Sequence, residues 1–216
     1  PSSTEALNHE PTLPRRGEPP HRFHLLRGAR GLWSSEMNRA VVDEIGVQPG
    51  ATLLDIGAGV GPATVEAAKR VVPDGVVIAV EPSRFMRSML RARRQWQRTR
   101  RAIDIRSGSA EALPVADSSI DAAWAVNAVH HFDDVQRAME ELARVLKPGG
   151  RALLVEEDFE HHPRTGDKLE HGLVDEATLT DQLQAATLGV DRSEHRIIGG
   201  AAALVIAVTK LQAESS

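Results

Sequence analysis

From Gly50 onward the chain alternates short apolar runs with longer stretches in which apolar residues return every three or four positions. ATLLDI (51–56), VVIAV (76–80), AIDIR (102–106), IDAAWAV (120–126) and RALLVE (151–156) have the length and composition of strands. Between them PATVEAAKRVV (62–72), SRFMRSMLRARRQW (83–96) and VQRAMEELARVL (135–146) carry a helical period, and a further helix is expected from about Val174 to Leu188. Short turns joining strand to helix to strand make successive strands parallel, with helices on both faces of the sheet. The end of the chain departs from this rule. HRIIGG (195–200) leads directly into AAALVIAVTK (201–210) with no helix between them, so the last strand should return antiparallel beside its predecessor. The pattern predicts an α/β fold built on a doubly wound, mostly parallel seven-stranded sheet with the last strand antiparallel. Ahead of it, Ser34 or Ser35 can cap a helix that carries Met37, Ala40, Val41 and Ile45 on one face and closes at Gly46.

Composition sharpens the boundaries. Pro1 to Pro20 holds five of the twelve prolines and few large apolar residues, too little to offset the entropy of ordering. Residues 1–20 are therefore expected to be a mobile arm, 21–50 a helical lid segment, 51–210 the folded domain and 211–216 a tail. Hydrophobic residues make up 41% of 216 positions, enough for one sizeable core. A formal charge of -4 gives no reason to expect nucleic acid as a partner. With no cysteine, the sequence excludes disulfides, thiolate nucleophiles and Cys-ligated zinc, and fits a reducing compartment. No run reaches membrane-spanning length and the first residues show no apolar signal core, so the expectation is a soluble, cytoplasmic chain with no membrane partner.

Candidate chemistry begins where the first strand ends. Asp55 precedes Gly57-Ala58-Gly59-Val60-Gly61, and Pro62 opens the next helix at a position whose amide would be unpaired anyway. Glycines there let backbone approach a ligand closely. The spacing is GxGxG, one residue shorter than the dinucleotide fingerprint, which argues against a nicotinamide enzyme. Glu81 ends the second strand about 20 residues beyond Gly61, where an acid accepts hydrogen bonds from a ribose diol. Strand, glycine loop, helix and acid together point to a nucleoside ligand.

Four segments in order carry a resemblance: LLDIGAGVGPAT, VIAVEPS, GSAEALPVADSSIDAAWAVNAVHHF and LKPGGRALLVEED. From Gln48 to Lys210 the chain resembles the class I S-adenosylmethionine-dependent methyltransferases, of the small-molecule "domain 11" type related to ubiquinone and menaquinone biosynthesis enzymes. The resemblance implies a Rossmann-like form of the predicted sheet, makes 51–210 a methyltransferase domain, and names S-adenosylmethionine as cofactor and S-adenosylhomocysteine as its product. It implies that Asp55, Gly57, Ala58, Gly59 and Gly61 surround the methionine and ribose parts, that Glu81 with Pro82 holds the ribose, and that Ala110 and Glu111 lie near adenine. Ser109 stands where members often carry an Asp that accepts from the adenine amino group. Asn127 falls at the position beside the methyl donor.

The residues after Asn127 suggest what the methyl is transferred to. A hydroxyl acceptor needs a base, and His130 and His131 follow a buried strand at the sheet's carboxyl edge, where histidine titrates near neutrality. The next strand ends in Glu156, Glu157 and Asp158, with Glu156 and Asp158 on one face. Some sugar O-methyltransferases of the family pair such histidines with an acid at the place of Glu156. The expectation is O-methylation of a small hydroxylated metabolite, a sugar or glycoside, by a His130/His131 and Glu156 base. The alternatives are C- or N-methylation of a quinone-like or amine acceptor, and a cofactor-binding module without catalysis. A Mg ion on Glu156 or Asp158 is left open, as is a homodimer. Trp33 is a candidate to stack on the acceptor, with Glu157 and Asp158 beside it. His161, His162 and His171 read as solvated loop residues. Arginines spread around the helix after Ser83 read as a solvated face rather than a nucleic-acid site.

Overall fold

The computed structural model describes residues 36–157, 175–198 and 200–212. The proposed arm, Trp33, the capping serines, Asp158 and the three loop histidines lie outside the described residues.

The elements are α1 (Glu36–Glu44), β1 (Thr52–Ile56), α2 (Pro62–Val71), β2 (Val76–Val80), α3 (Arg84–Gln95), β3 (Ile103–Arg106), β4 (Ile120–Val126), α4 (Val135–Val145), β5 (Leu146–Glu157), α5 (Glu176–Ala185), β6 (Leu188–Ile198) and β7 (Ala201–Lys210). One seven-stranded sheet has the order β3-β2-β1-β4-β5-β7-β6. The pairs β1·β2, β1·β4, β2·β3 and β4·β5 are parallel, and β7 runs antiparallel to both β5 and β6. The antiparallel last strand does lie beside its predecessor, and it also inserts between β6 and the rest of the sheet. The sixth strand starts at Leu188, seven residues before the expected HRIIGG run, and the preceding helix stops at Ala185. DRSEHR hides this extension, because an edge strand needs few apolar residues.

The chain winds outward from β1 through β2 to β3, then crosses back to lay β4 against the other side of β1. That reversal opens a crevice at the carboxyl ends of β1 and β4, the place where open α/β sheets take ligands. Alternate side chains feed two cores. Leu54, Ala123 and Leu154 pack under α4 and α5 with Met139, Leu142 and Leu183. Leu53, Trp124 and Val155 pack on the opposite face with Val41 and Val42 of α1 and Ala67 of α2. Trp124 is fully buried, so the strand before the paired histidines is a rigid base for them.

Local signals set the ends of the elements. α1 ends before Gly46, whose φ of 66° is left-handed. Pro62 opens α2 behind Gly61, which adopts φ 75°. A Cβ at Gly61 would stand 2.1 Å from Leu90 Cδ1, so glycine lets α3 close on the loop. The Ser83 hydroxyl caps α3 by accepting from Met86 N, and Asp134 and Asp175 cap α4 and α5 in the same manner.

Candidate active site

The first half of the crevice is backbone and carboxylate. The Gly57 and Ala58 amides donate to Val80 O at 2.9 and 3.1 Å, which ties the glycine loop to the end of β2. A Cβ on Gly57 would lie 2.7 Å from Ala128 Cβ, so the loop presses against the turn after β4. At Gly59 (φ 55°) a Cβ would meet nothing within 4 Å; that residue faces open space. Glu81 is 7% exposed and uses both oxygens: Oε2 accepts from Gly59 N at 2.9 Å and Oε1 from Ser83 N at 2.8 Å. Behind it, the buried Arg87 donates Nη1 to the carbonyls of Glu81 and Pro82, both at 2.6 Å, and fixes the corner that aims the carboxylate.

Asp55 lies deeper, 3% exposed, and accepts from the Thr64 hydroxyl at 2.5 Å. Burial pushes its carboxyl up to about 7; hydrogen bonds from Thr64 oppose that rise and the nearby Glu81 adds to it. The open face of the loop is thus bordered by two carboxylates, an acceptor set that suits a cationic ligand with a ribose diol better than a pyrophosphate.

The second half is built across β4 and β5. Asn127 adopts φ 50°, turning the chain out of β4. Its amide donates to Val155 O at 2.8 Å, its Oδ1 accepts from Glu157 N at 2.7 Å, and its Nδ2 reaches Glu157 Oε2 at 3.5 Å and the Met37 sulfur of α1 at 3.9 Å. Next comes a single 3₁₀ turn, Val129–His131. Glu156, 6% exposed, binds that turn from the neighbouring strand. Its Oε1 accepts from Ala128 N at 2.9 Å and Val129 N at 2.7 Å, while Oε2 stands 2.5 Å from His130 Nδ1. This hydrogen bond raises the His130 pKa above its ordinary value, against the opposing effect of burial. His131 is exposed, its ring 4.0 Å from that of His130 and tilted by 50°.

The structure therefore brings His130 and Glu156 together and leaves His131 outside their hydrogen bond. Glu157 joins Asn127 instead, on the other side of the strand. Ser109, Ala110 and Glu111 lie on the loop after β3, where Ser109 bridges Ala112 and Ala110 is buried. Glu111 Oε1 accepts from Asp133 N at 2.9 Å and Asp134 N at 3.4 Å, so this carboxylate fastens the loop to the chain beyond the histidines. Burial opposes ionisation of Glu111, but hydrogen bonds from Ser109 and these amides hold its pKa below the usual value.

Sequence reasoning missed a second fastening of the same loop. Buried Glu141 of α4 accepts from Leu113 N at 2.8 Å, and Arg144 donates to Leu113 O, Val115 O and Glu141. The i, i+3 acid and base in MEELARVL were its only trace, and helices carry many such pairs. Among the described residues no group of three His, Asp or Glu side chains is placed to hold a metal ion.

Residues 54–154 match the family profile described as "Methyltransferase domain". The chain carries a class I S-adenosylmethionine-dependent methyltransferase domain. The ubiquinone/menaquinone biosynthesis C-methyltransferase of Hahella chejuensis is 33% identical over 129 residues, 60% of this chain and 50% of that protein. The demethylmenaquinone methyltransferase of Symbiobacterium thermophilum is 33% identical over 126 residues, 58% of this chain and 50% of its own length. The chain thus spans about half the length of these curated relatives. A methyltransferase of Aquifex aeolicus described as SAM-dependent has the same fold, with a TM-score of 0.73 at 20% identity, covering 90% of this chain and 100% of that one. S-adenosylmethionine is the cofactor of this domain type, and the glycine loop with Asp55 and Glu81 fits it. No helix among the described residues is long and apolar enough to cross a membrane.

Proposed function

We propose that the protein transfers a methyl group from S-adenosylmethionine to a nucleophilic carbon of a small hydroxylated acceptor, of the quinol type, with His130 as the base. The observation that carries this reading is the His130–Glu156 pair, seated on the turn that presses against the glycine loop.

The bound cofactor supplies a methyl already activated on a sulfonium. What remains is to hold an acceptor in line, keep water out and raise the acceptor's nucleophilicity. Glu156 orients the His130 ring through Nδ1, and Nε2 is the nitrogen assigned to take the acceptor's hydroxyl proton. As that proton leaves, charge flows into the ring, the carbon beside the hydroxyl forms its bond to the methyl, and the carbon–sulfur bond breaks. The same carbon then loses its own proton to solvent, the ring regains aromaticity, and His130 returns the hydroxyl proton to the oxygen, so one proton is released per methyl transferred.

Support for carbon comes from the relatives named for C-methylation in ubiquinone and menaquinone biosynthesis. It comes also from matching of acidities. A phenolic hydroxyl ionises near ~10, within reach of an imidazole, whereas an alcohol does not ionise in the accessible range. The earlier expectation of a sugar hydroxyl is therefore the weaker one.

The test uses methyl-labelled cofactor with demethylated quinols and glycosides as acceptors, and carbon-13 NMR of the product. A ring-methyl signal from a quinol supports the proposal; an O-methyl signal, or turnover of glycosides only, overturns it. His130→Gln should lower turnover on the order of 10²-fold. The same variant should keep S-adenosylhomocysteine affinity by calorimetry, which separates loss of the base from loss of the cofactor site.

A further inference from the structure

Residues Arg84 to Arg101 include eight arginines and no acid. Elsewhere many guanidinium groups face a carboxylate: Arg70, Arg106, Arg137, Arg144, Arg192 and Arg196 each do. Arg84, Arg91, Arg98, Arg100 and Arg101 are exposed and none of them enters an ion pair among the described residues. Like charges one or two turns apart disfavour a helix, so nothing about α3 itself calls for them.

The same helix carries two of the largest exposed apolar side chains. Phe85 is 67% exposed and Trp96, at the helix end, 86%. With exposed Ala92 they stand at i, i+7 and i+11, one line along the outward face spanning about 16 Å. Arg84 and Arg91, seven residues apart, stand on a parallel line beside it, and exposed Arg98 follows in the turn beyond the helix end. The outward face thus has an apolar centre and a cationic flank.

We propose that this face of α3 is a docking surface for an anionic lipid bilayer. Trp and Phe settle at the level of the headgroups, and arginines beside them meet lipid phosphates. A nucleic-acid strand fits the face less well. Tracking a phosphate backbone would call for arginines at the centre of the exposed face, yet the centre is aromatic. Two other arginines of the helix point inward: Arg87 is buried on the carbonyls of Glu81 and Pro82, and Arg94 donates to Ile103 O. Attachment of this kind lies on the surface and requires no spanning segment.

Co-sedimentation of the full chain with vesicles tests the proposal, using equimolar phosphatidylcholine and phosphatidylglycerol against phosphatidylcholine alone at low salt. Binding to the anionic vesicles only, released by raised salt, is the expected result. Arg84→Gln, Arg91→Gln and Arg98→Gln combined should weaken partitioning roughly a hundredfold. Phe85→Ala with Trp96→Ala should weaken it with no change in S-adenosylhomocysteine binding, since both side chains are exposed on the outer face of the helix. Equal binding to neutral vesicles, or no binding to anionic ones, overturns the proposal. So does retention of a single-stranded oligonucleotide in place of vesicles, or self-association that the aromatic substitutions abolish.

Discussion

Glu81 and Glu156 are both buried acids at the carboxyl ends of strands, and each uses both of its oxygens, yet they are held by different kinds of donor. Glu81 accepts from two backbone amides, Gly59 and Ser83, which do not titrate. Glu156 accepts from two amides and also faces an imidazole, which does. The first arrangement fixes a carboxylate as part of a cradle; the second makes one half of a proton-exchanging pair. The proposed binding and chemistry thus fall at the ends of β2 and β5, with β1 and β4 between them, and substitutions can separate them in turn.

The largest effect is expected from Glu156→Ala. It strands the buried amides of Ala128 and Val129 as well as His130, leaving the turn after β4 tied to the end of β5 through Asn127 alone. A stability loss of about 3 to 5 kcal/mol is expected in urea titration, with turnover abolished. Glu81→Ala frees amides that are only partly buried and should cost about 1 kcal/mol, while S-adenosylhomocysteine affinity falls roughly a hundredfold. Equal destabilisation by both would dissolve the distinction between cradle and pair.

Glu156→Gln sharpens it. The amide oxygen can still accept from Ala128 and Val129, but the charge against His130 is gone. Stability should stay within about 1 kcal/mol of the parent, cofactor affinity should hold, and turnover should drop on the order of 10²-fold. A Glu156→Gln protein that turns over at the parental rate would leave Glu156 with an anchoring role alone.

The cradle was legible in the sequence because its parts are local. Asp55, the glycines, Pro62 and Glu81 fall within one strand-loop-helix-strand unit, and their spacing is dictated by backbone reach. The pairing of His130 with Glu156 was legible only as a neighbourhood: both end buried strands, but which histidine meets the acid depends on the β4·β5 register and on the 3₁₀ turn that swings His131 outward. Glu111 was assigned to adenine, and the contact that occupies its carboxylate spans 22 residues to Asp133, a distance no local period encodes. The sixth strand was shortened for the converse reason. Its polar DRSEHR centre lies at the sheet edge, where pairing with β7 supplies the stability that apolar content supplies elsewhere.

The proton-exchanging pair should show itself in pH dependence. The Glu156 carboxylate raises the His130 pKa above 6.5, with burial opposing. For a histidine with a raised folded-state value, the stabilisation is complete below pH 6.5 and is lost as pH rises through the raised value. Turnover requires the neutral ring and runs the other way, rising through the same window. Stability and kcat, followed together, should therefore cross in opposite directions. Glu156→Gln should move the kinetic pKa back toward 6.5 and flatten the stability slope, and a profile unmoved by that substitution would assign the titration to another group.

The smallest effect is expected at Asp55, and it tests the cradle on the same axis. Burial raises this carboxyl from 3.8 to about 7, so the free protein binds a proton there that the unfolded chain has already lost. Stability from this group falls as pH rises from 3.8 to about 7 and is flat above. A cationic methionine group in the cradle favours the ionised form, so cofactor binding should expel the proton. S-adenosylhomocysteine affinity should then weaken as pH drops below about 7, by no more than about tenfold per pH unit. Calorimetry in buffers of different ionisation enthalpy reads the released proton directly, and Asp55→Asn should abolish both the release and the pH dependence. If binding enthalpy is the same in every buffer, Asp55 stays neutral beneath the ligand, and Glu81 is left as the carboxylate that meets its charge.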